Sequence, residues 1–296
     1  MADGQALFEA AAAKLRGEGG VRDLPAALEL FRRSAGTGRV DAAVIYANLL
    51  AAGVGGPRRW GEALRLLAAL AEVDPRSRRA LERIEAMALT EDGDPLRLPE
   101  GERLCEAPAI TRFTGLFSPE ECAWLAGSAA PMLEPAVVID PASGRQVRDP
   151  VRVCDSVGFT WPLENPAIHA LNRRLAAASG TEVEQGEPLQ VLRYRPGGEY
   201  RPHFDAIPGF ANQRAMTMLV WLNDDYEGGE THFPIPGLKL KGKPGDALLF
   251  HNTGADGRRD PASGHSGLPV TAGEKLIASR WIRERPFEPP LGDKAG

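Results

Sequence analysis

At 296 residues with 43% hydrophobic content, the chain is long enough to bury one large core or two smaller ones. Its 35 Lys and Arg stand against 40 Asp and Glu, a net charge of −5, with no basic tract of the kind that grips nucleic acid. No apolar run reaches membrane length and the start MADGQALFEAAAAKL lacks a secretory pattern, so the composition predicts a soluble cytoplasmic protein with no membrane contact. Cys105, Cys122 and Cys154, odd in number and without ligand spacing, read as reduced packing thiols.

The first ninety residues predict a helical domain built on an internal repeat. An offset of 36 superposes Gly17 on Gly53, Gly20 on Gly56, Ala27 on Ala63, Leu28 on Leu64 and Leu30 on Leu66. Each unit reads as two short helices, with Ala at close-packing positions, Leu on the inner stripe and Gly-rich turns, GEGG and GVGGPRRW, between them. The pattern resembles the Sel-one-like relatives of tetratricopeptide repeats, with about two units visible. An array this short either supports its neighbour domain or offers a groove to a partner protein. The charged, Pro- and Gly-containing stretch LTEDGDPLRLPEGER then marks a linker, placed at 91–103 between domains at 1–90 and 104–296.

Beyond the linker, AITRF predicts a strand, and Ser118 with Glu121 three residues later forms a capping box opening the helix ECAWLAGSAAPML. A second helix is expected over 166–178. From Leu189 onward the apolar segments LQVLRYR, AMTMLVWL, DALLF, PVTAG and KLIASRWI alternate with turns, the pattern of a sandwich or barrel. Long polar loops are expected over 140–156 and between His251 and His265, where substrate selection usually sits.

Among these strands stand His203 and Asp205, in RYRPGGEYRPHFD, and His265, 62 positions after His203. Residues two apart on a strand project from one face and can grip one ion together. Two imidazoles and a carboxylate leave three octahedral positions open, which suits non-haem Fe(II), whereas a closed structural zinc site takes four protein ligands. Of the remaining histidines, His169 reads as helix packing, and His232 and His251 as structural strand residues. His265 is preferred as the third ligand because Lys275 follows ten residues later, and a lysine inside a barrel needs an anionic partner.

From about Ile110 to Arg283 these segments resemble the prolyl 4-hydroxylase branch of the Fe(II)/2-oxoglutarate dioxygenases. The resemblance implies an α+β chain: a double-stranded β-helix, or jelly roll, preceded by the small helical repeat domain. It makes His203, Asp205 and His265 the iron ligands. The co-substrate 2-oxoglutarate then chelates iron through its C1 carboxylate and C2 ketone, its far carboxylate pairing with Lys275 and with the hydroxyls of Tyr194 and Thr231. Tyr200, Arg214 and Trp281 match positions that line the cleft around a target proline. The implied reaction consumes dioxygen and 2-oxoglutarate, yields succinate, hydroxylates peptidyl proline, and admits ascorbate as an auxiliary reductant. Two departures stand out: Lys275-Leu276 where the family often has Lys-Trp, and VWLND, with Trp221 where a tyrosine is usual. Alternative readings are the same chemistry on a free amino acid or small metabolite, and an inactive repeat-plus-barrel binding scaffold.

Overall fold

The computed structural model describes residues 3–139, 146–149 and 151–289, so part of the loop expected over 140–156 lies outside the described residues. Two compact units are present: residues 3–97 together with 159–174, and residues 98–158 together with 175–288.

The first unit contains five helices: α1 (Gly4–Arg16), α2 (Leu24–Ala35), α3 (Val40–Ala52), α4 (Trp60–Ala71) and α5 (Pro75–Glu85). Asp3 caps α1 by accepting from Gln5 N, and Asp23 caps α2 by accepting from Ala26 N. Gly17 and Gly53 end α1 and α3 in the left-handed conformation, at φ 75° and 71°. The offset of 36 carries the limits of α1 onto those of α3 and the limits of α2 onto those of α4. Ala27 and Ala63 are fully buried at equivalent places, as close packing requires. The expected leucine stripe is met in part: Leu28 is buried, Leu30, Leu64 and Leu66 are only half-buried, and Phe31, Leu67 and Leu70 complete the interior. One helical turn is 3.6 residues, so the buried line passes from Ala27 to Phe31 and leaves Leu30 at its edge.

Residues 159–174, assigned from the sequence to the second domain, group with these helices. Buried Asn48 of α3 donates its Nδ2 to the Pro162 carbonyl at 2.8 Å. The Arg173 guanidinium lies 5.8 Å from the centroid of the Trp60 ring and pairs with Asp94. Trp60 is 4% exposed, and Gly93 lets the chain pass its face, since a Cβ there would fall 2.4 Å from the ring.

The second unit carries the strands, numbered in chain order. The larger sheet runs β1-β2-β13-β9-β16-β7-β6-β3. Its members are β1 (Gly101–Glu106), β2 (Ala109–Phe113), β3 (Glu134–Pro135), β6 (Asp155–Phe159), β7 (Leu189–Tyr194), β9 (Arg214–Trp221), β13 (Ala247–His251) and β16 (Lys275–Arg283). The smaller sheet runs β12-β11-β14-β8, from β8 (Tyr200–His203), β11 (Thr231–Phe233), β12 (Leu238–Leu240) and β14 (His265–Gly267). Two ribbons complete the set: β4 (Val137–Ile139) with β5 (Gln146–Arg148), and β10 (Tyr226–Gly228) with β15 (Val270–Gly273). The core is shared by both sheets: Ile110, Leu192, Trp221, Leu248, Phe250 and Ile277 from the larger meet Phe233 and Leu240 from the smaller. This is the jelly roll expected from the sequence. The capping box at Ser118 and Glu121 opens α6 (Pro119–Ala129), whose Cys122 thiol reaches the Trp221 carbonyl on the larger sheet. The helix expected over 166–178 is α7 (Pro166–Ser179).

Replacing Trp60 with Ala opens a cavity in the first unit and is expected to cost about 3–5 kcal/mol, read as a lowered urea midpoint. An unchanged midpoint would remove Trp60 from that unit's core.

Candidate active site

Strands β8 and β14 pair antiparallel with His265 directly opposite His203, and the next paired positions are Tyr200 and Gly267. Two residues of β8 therefore face one of β14, a bulge that rotates the strand between its pairings. As a result Tyr200 and His203, three residues apart, share a face and stack with ring centroids 3.4 Å apart at 15°. Asp205 follows beyond the end of β8 and completes a triad whose ligand atoms all lie within 4.8 Å of one another. Its Oδ1 is 3.6 Å from His203 Nε2 and its Oδ2 is 3.7 Å from His265 Nε2.

The donor set fits a divalent metal. His203 Nδ1 is 2.8 Å from the Arg201 carbonyl and His265 Nδ1 is 2.9 Å from the Ser263 carbonyl, so each ring donates from Nδ1 and presents a lone pair at Nε2. Burial, with His203 alongside, lowers the His265 pKa to about 4 against the pull of Asp205, so its imidazole is neutral at ordinary pH. Burial works against charge on Asp205 as well, yet His265, His203 and the Thr217 hydroxyl hold it well below the usual carboxylate range. Phe233 stacks on His265 at 5.3 Å and Phe250 meets it edge-on at 4.7 Å, which fixes the ring plane. Three protein ligands leave positions for exogenous ones.

One cavity is lined by the triad and by Tyr194, Tyr200, Thr231, Lys275 and Trp281. Lys275 opens β16 opposite Tyr194 of β7. Its Nζ donates to the Gly229 carbonyl at 2.7 Å and lies 5.5 Å from the Tyr194 ring centroid. Burial lowers its pKa to about 8, Lys241 adding to the effect and Glu230 opposing it. The Gly228-Gly229 turn has positive φ at both residues, and a Cβ on Gly229 would crowd Lys275 Cδ at 3.2 Å. This turn aims the Gly229 carbonyl at the ammonium and leads into Thr231 on β11, 3% exposed. Burial raises the Tyr194 pKa well above the ordinary value, the neighbouring Cys154 adding to the rise.

Trp281 reaches the cavity; Arg214 does not line it. The Arg214 guanidinium is held by Glu187 through two hydrogen bonds of 2.6 and 2.8 Å and lies 3.7 Å from the Trp281 ring centroid. It therefore acts on the cavity through Trp281. The other histidines are elsewhere. His169 Nδ1 lies 2.8 Å from Glu164 in the first unit, His232 is half-buried on β11, and His251 ends β13 opposite Met216. None joins a metal-ligating group among the described residues.

Arg152 was not singled out by the sequence reading. It bridges to Tyr200, its guanidinium lies 5.7 Å from that ring, and it lines the cavity at 9% exposure. A lone arginine between valines in VRVCDS was the signal available. Thr217, hydrogen-bonded to Asp205, was likewise missed inside an apolar strand segment.

Comparison with known proteins agrees with this geometry. Residues 189–283 match the 2OG-Fe(II) oxygenase superfamily. Prolyl 4-hydroxylase 1 of Arabidopsis thaliana is 36% identical over 228 residues, spanning 70% of this chain and 81% of that protein. Prolyl 4-hydroxylase subunit alpha-1 of Gallus gallus is 33% identical over 190 residues, 61% of this chain and 36% of that protein. A solved structure, the 2OG complex of the viral collagen prolyl hydroxylase from Paramecium Bursaria Chlorella virus-1, is 28% identical, with a TM-score of 0.49. It covers 61% of this chain and 98% of its own. The fold and the triad define a 2OG-Fe(II) oxygenase. Within that class, the chain belongs to the prolyl 4-hydroxylase family.

A carboxylate entering the cavity beside Lys275 would pair only with the charged lysine, whose pKa burial lowers to about 8. Affinity should therefore be flat below about pH 7 and fall, by up to about tenfold per unit, above pH 8. Lys275→Arg, which stays charged, should remove that slope. Lys275→Ala should weaken 2-oxoglutarate binding by roughly 100-fold or more at pH 7. Titration calorimetry from pH 6.5 to 9.5 checks all three; a wild-type profile flat to pH 9.5 would exclude Lys275 as the anchor.

Proposed function

We propose that the protein hydroxylates proline residues in a peptide or protein substrate, coupled to decarboxylation of 2-oxoglutarate to succinate. The observation that carries this reading is a single cavity bringing Tyr200 and Trp281 beside the triad, with Lys275 in the same wall. When bound, Fe(II) supplies the activation of dioxygen that couples co-substrate decarboxylation to C–H hydroxylation. The chain's own residues bind and orient. His203 and His265 present Nε2 lone pairs while their Nδ1 protons are tied to main-chain carbonyls, and Asp205 contributes one negative charge. Lys275, Tyr194 and Thr231 hold the far carboxylate of 2-oxoglutarate and keep its reacting end from rotating. Tyr200 and Trp281 offer flat apolar walls that fit a pyrrolidine ring. Arg214 keeps Trp281 in place from behind. No side chain has to act as a general base.

The helical repeats serve to hold residues 160–174, a role supported by the Asn48 bond to Pro162 and by the packing of Arg173 on Trp60. A partner protein on the remaining surface of the repeats is compatible with that role. A cytoplasmic setting is supported by three free thiols, since oxidising compartments favour paired ones.

The test is anaerobic loading with Fe(II) and 2-oxoglutarate, followed by air with a proline-rich peptide or with free proline. Succinate and substrate mass are followed together. The expected result is succinate matched by a one-oxygen gain on the peptide and none on free proline. Hydroxylation of free proline alone would replace the peptide reading with a metabolite one. Asp205→Ala should lower succinate formation by roughly 10³-fold or more, because a three-ligand site loses its only anionic donor. An undiminished rate in that variant would sink the metal assignment.

A further inference from the structure

The carboxylate of Asp205 is held from behind by a short buried chain of hydrogen bonds. Its Oδ2 accepts from Thr217 Oγ1 at 2.6 Å, and that same Thr217 oxygen accepts from Asn252 Nδ2 at 2.9 Å. A side-chain amide nitrogen only donates, so the single proton of the Thr217 hydroxyl is directed at Asp205. Turning the Asn252 amide over would break this order. Its oxygen and Asp205 Oδ2 would then compete for one hydroxyl proton, and its nitrogen would be buried with no acceptor.

All three residues are enclosed: Asp205 is 3% exposed, Thr217 1% and Asn252 0%. Among the described residues, Asn252 Oδ1 is itself buried without a hydrogen-bond partner. The orientation that satisfies the carboxylate is therefore kept although it leaves an acceptor orphaned.

Asn252 also touches the other side of the triad. Its main-chain carbonyl lies 3.2 Å from Ser263 Oγ, whose one proton it shares with the Asp260 carbonyl at 2.7 Å, and the Ser263 carbonyl faces His265 Nδ1 at 2.9 Å. Its amide N–H is fixed by the Ala215 carbonyl at 2.8 Å, one strand away. One asparagine thus ties Asp205, through Thr217, to His265, through Ser263.

We propose that Asn252 is a positioning residue for the metal site: acting through the Thr217 hydroxyl, it sets the orientation of the Asp205 carboxylate as a one-oxygen ligand. The inference rests on the metal-site reading. With Oδ2 engaged by Thr217, Oδ1 is left to serve the ion, and a carboxylate that cannot turn cannot close over a second coordination position.

The decisive variant is Asn252→Asp, which keeps size and shape but replaces a donor by an acceptor. The introduced carboxylate then competes with Asp205 Oδ2 for the one Thr217 proton. Thr217→Val removes the hydroxyl at similar volume, and Thr217→Ser restores it. Fe(II) dissociation constants are measured anaerobically, with Co(II) visible spectra as an independent report on ligand geometry. Wild type and Asp205→Ala bound the scale, and thermal unfolding of each metal-free protein reports on folding. Asn252→Asp and Thr217→Val should each lose roughly 10- to 100-fold in affinity for both metals and show an altered Co(II) spectrum, with Thr217→Ser near wild type. A folded Asn252→Asp protein with wild-type affinity and spectrum would overturn the proposal. Should that variant not fold, the Thr217→Val and Thr217→Ser pair decides: equal affinities in the two overturn it, and loss with rescue supports it. Failure of the wild type to take up one equivalent of Fe(II) would instead overturn the metal-site reading itself.

Discussion

The antiparallel register of β8 against β14 is the constraint on which the oxygenase unit depends. It places His265 opposite His203, and every other element of the site is arranged around that pair. Side chains alternate along a strand, so a slip of one residue would turn His265 to the other face and leave Asp205 with a single imidazole. Three features pin the register. The bulge at Tyr200 brings an aromatic ring onto His203 that a regular strand would have sent to the opposite side. Phe233 on β11 and Phe250 on β13 clasp His265 from two directions. Beyond the strand, Asp205 is caught by Thr217 of the larger sheet, so the triad binds one sheet to the other.

Two buried charges in one cavity are treated in opposite ways, and the contrast explains what each is for. Asp205 accepts from the Thr217 hydroxyl and sits between two imidazoles, and it is held well below the usual carboxylate range. Lys275 has one neutral carbonyl partner and a ring at some distance, so burial costs it charge. A carboxylate supplied from outside relieves that cost in full, while a neutral molecule relieves none of it. An under-served lysine of this kind favours an anion over a neutral molecule. Glu187 shows the third arrangement: it serves both Arg214 and Arg283, satisfied internally, and its product is a fixed Trp281 ring.

How much of this could be read from the chain depended on whether the signal was local. The Ser118 capping box and the offset of 36 between helix pairs are carried by residues near in sequence and appear where expected; His203 and Asp205 do meet at one site, although the strand expected to hold both ends at His203. Lys275 and Tyr194, far apart in the chain, were placed only through the family pattern, and sheet register makes them neighbours. The rest depended on tertiary events without a local mark. Period-two counting separates Tyr200 from His203, and only the bulge reunites them. Thr217 and Asn252 look like ordinary polar punctuation in apolar strands until the two sheets bring them behind Asp205. Residues 159–174 carry no composition shift that would send them to the helical unit; the Pro162 carbonyl and Arg173 do so by contacts to Asn48, Trp60 and Asp94. In the repeats the leucine stripe holds at Leu28 and is one position off at Leu30 and Leu66, where Phe31 and Leu67 occupy the buried line.

The two departures from the family pattern are settled by packing, away from the metal. Trp221 is fully buried in the shared core, a larger ring than the tyrosine that usually stands at this place in the family. Well-packed interiors do not absorb such an increase without a matching loss elsewhere. Gly242 provides it: a Cβ there would lie 2.3 Å from the Trp221 ring, so the space the indole needs is space a side chain has given up. Leu276, beside Lys275, is half-buried on the strand's opposite face, and its N–H is taken by Asn223 Oδ1 at 2.7 Å. Alternation along β16 therefore sends position 276 away from the cavity while 275, 277, 279 and 281 all line it. A change at 276 alters what covers the outside of the sheet and leaves the co-substrate wall as it was.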